Sequence, residues 1–143
     1  MSRTVRAQST VKFLWTGEIR NGLALGARAV STTPYADDYS KIDGYSCRVW
    51  INSATSTRIT IFEGTSGTNV EIDMLTEDSW YTLEFTAEGT DFTCTLYDED
   101  GTTVGSQTIS DDTYTSGYSG LVPFSDYVET AGWYVSEYTI TVL

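Results

Sequence analysis

From Val11 onward apolar and polar residues exchange places at every second position, as in Tyr45, Cys47, Val49, Ile51 and again in Phe92, Cys94, Leu96. A period of two marks a strand with one buried face, and these segments are short and rich in Thr, Val and aromatics. The pattern predicts ten strands, at 11–15, 23–30, 45–51, 58–62, 68–75, 81–87, 91–98, 102–109, 117–122 and 133–142, and no significant helix. Their spacing is that of an all-β sandwich or barrel. Between them lie turn signals: Glu63 to Gly67, Glu88 to Asp91 and Asp98 to Gly101 supply Gly where a positive φ is needed. Residues 31–44, with Pro34, Asp37, Asp38 and Asp43, form the longest stretch without a strand pattern and are read as a loop that could carry a binding site.

Residues 1–10 lack the alternation and are read as a basic N-terminal arm, leaving 11–143 as one β-sandwich domain. At 143 residues the chain has enough length for one core and too little for two. No apolar run approaches the 18 or so residues of a membrane span, and nothing after Met1 to Arg6 resembles the apolar part of a signal peptide. The expectation is a chain released by lysis, as a virion protein is, or excised from a longer precursor.

The net charge of −12 is unevenly spread. Residues 1–28 hold Arg3, Arg6, Lys12, Arg20 and Arg28 against Glu18, whereas residues 29–143 hold Lys41, Arg48 and Arg58 against nineteen acids. So acidic a body repels nucleic acid and anionic membranes. Such lysine-poor surfaces suit molar salt, where the Debye length falls to about 3 Å, and a high-salt source is expected. An ordinary acidic secreted protein is the plainer alternative. Arg3, Arg6 and Lys12 are the expected assembly contact, docking the arm on an acidic neighbouring subunit, unless the arm is a free tail.

Without a single histidine the Ser-His-Asp, Cys-His and His-metal arrangements are excluded. Only a pair of carboxylates could act as catalyst, and Glu84 with Glu88 has the i, i+4 spacing. Two solvated carboxylates on an acidic surface explain them more simply, and the reading is non-enzymatic. Cys47 and Cys94 both carry inward parity; they are most simply buried small hydrophobes, with a disulfide between facing strands as the alternative. Calcium is the metal the sequence could accommodate, on Asp37, Asp38 and Asp43 or, less simply, on Asp98 and Asp100, which a turn explains better, and no cofactor is required. For a sugar, which needs an aromatic platform beside a few polar groups, the candidates are Tyr35, Tyr39, Trp50 and Tyr127. Trp15, Trp80 and Trp133 fall at strand ends and are read as core or rim.

Trp80 to Phe85, Phe92 to Asp98 and Asp100-Gly101 resemble the central hairpin of concanavalin A-like jelly rolls of the laminin-G type. The likeness continues through Asp111 to Leu121 and the Ala131 to Val135 entry to the last strand, covering roughly residues 45–143. It implies a two-sheet antiparallel jelly-roll sandwich. The acidic Asp-Thr-Tyr-Thr-Ser-Gly segment at 112–117 particularly resembles domains of halophilic archaea and their tailed viruses. With the composition, the resemblance implies a virion surface protein of a virus of halophilic hosts: a capsid decoration, a turret or a tail-fibre head. Its expected partners are other virion proteins, copies of itself and a host surface glycoprotein or glycan. The alternative is an extracellular carbohydrate-binding module of a secreted haloarchaeal enzyme or cell-surface protein.

Overall fold

The computed structural model describes residues 6–17, 19–30, 43–125 and 133–142. They form ten strands: β1 (Arg6–Trp15), β2 (Asn21–Ala29), β3 (Tyr45–Ser53), β4 (Ser56–Glu63), β5 (Ser66–Ile72), β6 (Ser79–Glu88), β7 (Asp91–Asp98), β8 (Thr103–Ser110), β9 (Tyr118–Ser125) and β10 (Trp133–Val142). Two five-stranded sheets result, ordered β10-β1-β6-β7-β8 (sheet 1) and β5-β4-β3-β2-β9 (sheet 2), and every pairing is antiparallel. The hairpin runs β3-β4-β5 and β6-β7-β8 fill one sheet each. The strands nearest the two ends of the chain then complete both, β1 beside β6 with β10 outside it, and β2 beside β3 with β9 outside it. This is the all-β jelly-roll sandwich that the alternation and the family likeness imply, and the described residues contain no helix.

Alternation decides what is buried. Val11, Phe13 and Trp15 in β1, Leu23 and Leu25 in β2, Cys47, Val49 and Ile51 in β3, and Leu83, Phe85, Phe92, Cys94 and Leu96 in β6 and β7 make one core between the sheets. Full burial of each large side chain contributes on the order of 1.5–3 kcal/mol. Gly105 lets β8 lie against the other sheet, because a Cβ there would stand 2.4 Å from Ile72 Cγ2 and 3.0 Å from Ile59 Cδ1.

Two expectations need correction. Cys47 and Cys94 are not separate thiols: they are joined as a disulfide from β3 to β7, fastening sheet 2 to sheet 1 through the core. Their shared inward parity placed them in the same layer, but parity carries no information about which residues meet across it. Second, β1 begins at Arg6, so residues 6–10 of the expected arm lie in the sheet, between β10 and β6. The small inward residues Ala7 and Ser9 had hidden the alternation there.

Candidate functional site

At one end of sheet 1 the β6–β7 hairpin sets aromatic rings beside acids. The turn between Glu88 and Asp91 fixes the register, and counting back along both strands pairs Thr82 with Tyr97 and Tyr81 with Asp98. Tyr81 turns inward and stacks on Phe13, with ring centroids 5.9 Å apart, while its hydroxyl accepts a 2.6 Å hydrogen bond from the Thr76 amide. Trp80, one residue earlier, points outward. It is half-buried, with the Lys12 ammonium 5.6 Å from its ring centroid.

Two shallow clefts flank this ridge. One, of about 270 Å³, is lined by Lys12, Trp80, Thr82, Tyr97, Asp98 and Glu99 among others. The second, of about 340 Å³, adds Met74, Thr76, Ser79, Asp100 and Val104. The acids are held by the turn itself: the Asp98 carboxylate accepts hydrogen bonds from the amides of Asp100 (3.0 Å) and Thr102 (2.9 Å), and Gly101 takes a φ of 81°. Tyr97 is anchored through its hydroxyl, which donates to Glu84 (3.4 Å). Burial, followed by the nearby Glu84 charge, raises its pKa. Fixed rings, carboxylate acceptors and one ammonium donor around an open cleft form a surface for a polyhydroxylated ligand: ring faces take C–H groups and the charged groups take hydroxyls.

A second polar and aromatic surface covers the outer face of sheet 2. Strand register aligns Trp50, Arg58 and Glu71 in one row and Arg48, Thr60 and Asn69 in the next. The Arg48 guanidinium lies 5.8 Å from the Trp50 centroid and 4.5 Å from that of Phe62. Arg58 Nε and Glu71 Oε1 are 2.7 Å apart in an exposed pair of the kind that contributes little to stability, about 0–1 kcal/mol.

Of the residues singled out in the sequence for a sugar, Trp50 is on this second face, and Tyr35, Tyr39 and Tyr127 lie outside the described residues. Asp37 and Asp38 of the calcium set also lie outside them. Asp43 is described: it accepts a hydrogen bond from the Tyr114 hydroxyl, while its carbonyl accepts one from the Val30 amide at 2.7 Å. Among the described residues no cluster of three or more metal-ligating side chains occurs. Of the assembly set, Arg3 is not described. Arg6 reaches Gln8 (3.3 Å) and Glu88 (4.0 Å), and Lys12 sits over Trp80, so the two are strand residues of sheet 1.

Glu84 and Glu88, the one pair with a catalytic spacing, both stand on β6. Four residues of strand separate them by about 13 Å, beyond the 5–10 Å that two carboxylates need across a glycosidic bond. Glu84 is also occupied, accepting from Gln8 (3.1 Å) and Tyr97.

No family model matches the sequence, and no curated protein matches it. Solved structures do match, and at these identities they bear on the fold alone. The carbohydrate binding module CBM66 from Bacillus subtilis is 21% identical, with a TM-score of 0.59 over 98% of this chain and 76% of that one. Lectin II from Ulex europaeus is 11% identical, with a TM-score of 0.65 over 98% and 74%. The CBM2 module of the evolved Dit of Lactobacillus casei BL23 phage J-1 is 14% identical, with a TM-score of 0.57 over 96% and 60%. The chain therefore shares the two-sheet jelly-roll sandwich fold of these structures.

Proposed function

We propose that this protein is a non-catalytic carbohydrate-binding sandwich whose sugar site is the pair of clefts beside Trp80. The observation that carries the reading is the fixed combination of Trp80, Tyr97 and the Asp98 to Asp100 turn around an open, sugar-sized hollow. The absence of histidine and the wide separation of Glu84 from Glu88 support binding without turnover. A disulfide through the core supports an oxidising location, outside the cell or on a particle.

Within that class we favour an adhesive protein on the surface of a virus of halophilic hosts, attached to other virion proteins and recognising a host glycan. The charge of −12 and the structural likeness to a phage Dit module support this form. A carbohydrate-binding module of a secreted enzyme is the second reading, supported by the likeness to CBM66 over nearly the whole chain.

Glycan-array binding in molar salt tests the site. Saturable binding should be lost in Trp80→Ala and kept in Trp50→Ala. Loss in Trp50→Ala alone would move the site to sheet 2, and no binding by the unaltered protein would reject the lectin reading.

A further inference from the structure

Where β5 meets β8, Gly105 lets the sheets touch. At the opposite end stands β10, an outermost strand of sheet 1 paired on one side only, with β1. Its register sets Tyr138 opposite Val11, Val135 opposite Phe13, Ile140 opposite Ser9 and Val142 opposite Ala7. Directly paired residues project from the same face of a sheet. Val11 and Phe13 are fully buried in the core, so the β10 row continues the core face outward. Yet Val135, Tyr138, Ile140 and Val142 are 43%, 36%, 46% and 68% exposed.

The edge also lacks the features that keep strands from pairing. Long, flat, uncharged edges are templates for another strand, and proteins blunt them with charge, proline or a bulge. β9, the neighbouring outermost strand, contains Pro123. β10 runs for ten residues with no Pro, no Gly and the single charge Glu137, and its one irregularity, at Ser136, leaves 137–142 regular.

We propose that β10 pairs antiparallel with β10 of a second copy about a two-fold axis at Thr139, joining two copies of sheet 1 into one ten-stranded sheet. This is independent of the sugar reading and names a surface for self-association. The register places Tyr138 opposite Ile140 on the core face, an aromatic to β-branched pair, and Glu137 opposite Thr141 rather than opposite itself. Charge does not oppose this occupant, since β10 brings only one acid in ten residues to the contact although the chain carries a net charge of −12. Area supports the same occupant. The exposed core-face row offers on the order of 300–400 Å² of mainly apolar surface per copy. The backbone edge and the outward side chains, Tyr134 among them at 64% exposure, bring the total toward the roughly 800 Å² per partner of a standard interface.

Sedimentation equilibrium of the full chain in molar salt measures the association. A dimer with micromolar or tighter dissociation is expected, and Ile140→Lys should weaken it at least about 100-fold while circular dichroism stays that of the unaltered protein. Thr139→Cys, on the outer face, gives a second readout that does not depend on tolerating a buried charge. Its sulfur should cross-link to the same residue of the second copy under mild oxidation, because paired Cα atoms lie about 4.5–5.5 Å apart and disulfides span about 4.4–6.8 Å. Thr141→Cys should not cross-link, its copies being separated by about 13 Å along the strand. A monomer at every concentration, a dimer indifferent to Ile140→Lys, or equal cross-linking at 139 and 141 would each overturn the proposal.

Discussion

Replacing both cysteines with alanine removes the disulfide that links the sheets, and the cost follows from chain length. The bridge spans 47 residues. In the chain-entropy treatment, closing a loop of that size costs the unfolded state about 4 kcal/mol of freedom, and two small cavities in a packed core add to the loss. Domains of this size are stable by about 5–15 kcal/mol in total, so Cys47→Ala/Cys94→Ala should lose a large share of its margin and still fold. At about 2–4 °C per kcal/mol the melting temperature should fall by roughly 10–15 °C. Calorimetry of the double variant, of the reduced protein and of the untreated protein, all in molar salt, makes the comparison. Reduction and substitution should agree within the cavity contribution. A loss below about 1 kcal/mol, or two titratable thiols in untreated protein unfolded without reductant, would refute the reasoning.

The Tyr45 phenol is buried and donates to the Asp111 carboxylate; desolvation first, and that bond second, push its pKa up to about 12. A raised pKa favours the neutral form in the folded state. Its contribution, on the order of 2–3 kcal/mol, is complete below pH 10 and should vanish as pH rises to about 12, a dependence that denaturant melts of Tyr45→Phe should lack. Asp111 titrates in the opposite sense. The Tyr45 hydroxyl and then the Thr113 amide hold its pKa below the usual carboxylate value, so its stabilisation is lost only in strong acid, as pH drops through that lowered value; Asp111→Asn melts flatten this acid limb. Gly105→Ala should cost about 1–3 kcal/mol in chemical denaturation by driving a methyl group into Ile72 and Ile59. Thermal stability should rise between dilute buffer and molar KCl, and a flat series would remove the high-salt origin.

The ten strands were legible because a period of two survives where one face is wet and the other dry, as in β1, β6 and β7, and because β10 keeps the same apolar alternation although its residues are exposed. It failed at the start of β1, where Ala7 and Ser9 face inward without looking apolar enough. The Trp80 clefts were missed because a tryptophan at a strand start reads as rim when each strand is taken alone. The signal was nevertheless present. With the turn placed between Glu88 and Asp91, counting residues brings Tyr81 to Asp98 and hence Trp80 to the acidic turn. The disulfide was legible only as two inward sulfurs, since the meeting of β3 with β7 depends on how the sheets stack, which no local pattern encodes. Arg28 was counted merely as charge. In the structure its guanidinium lies 4.9 Å from the Phe92 ring centroid and donates to the carbonyls of Gly89 (2.7 Å) and Tyr114 (3.2 Å), tying β2 to the β6–β7 turn and to the β8–β9 connection.

The amide of Val30 and the carbonyl of Asp43 meet at 2.7 Å, so the framework itself pins both feet of the insertion between them. Once feet are pinned, lengthening a segment is inexpensive, each doubling adding only about 0.6 kcal/mol of closure entropy. Foreign peptides exchanged for residues 31–42 should therefore leave the two-sheet sandwich intact, which makes this position a natural port for grafting new recognition onto the scaffold.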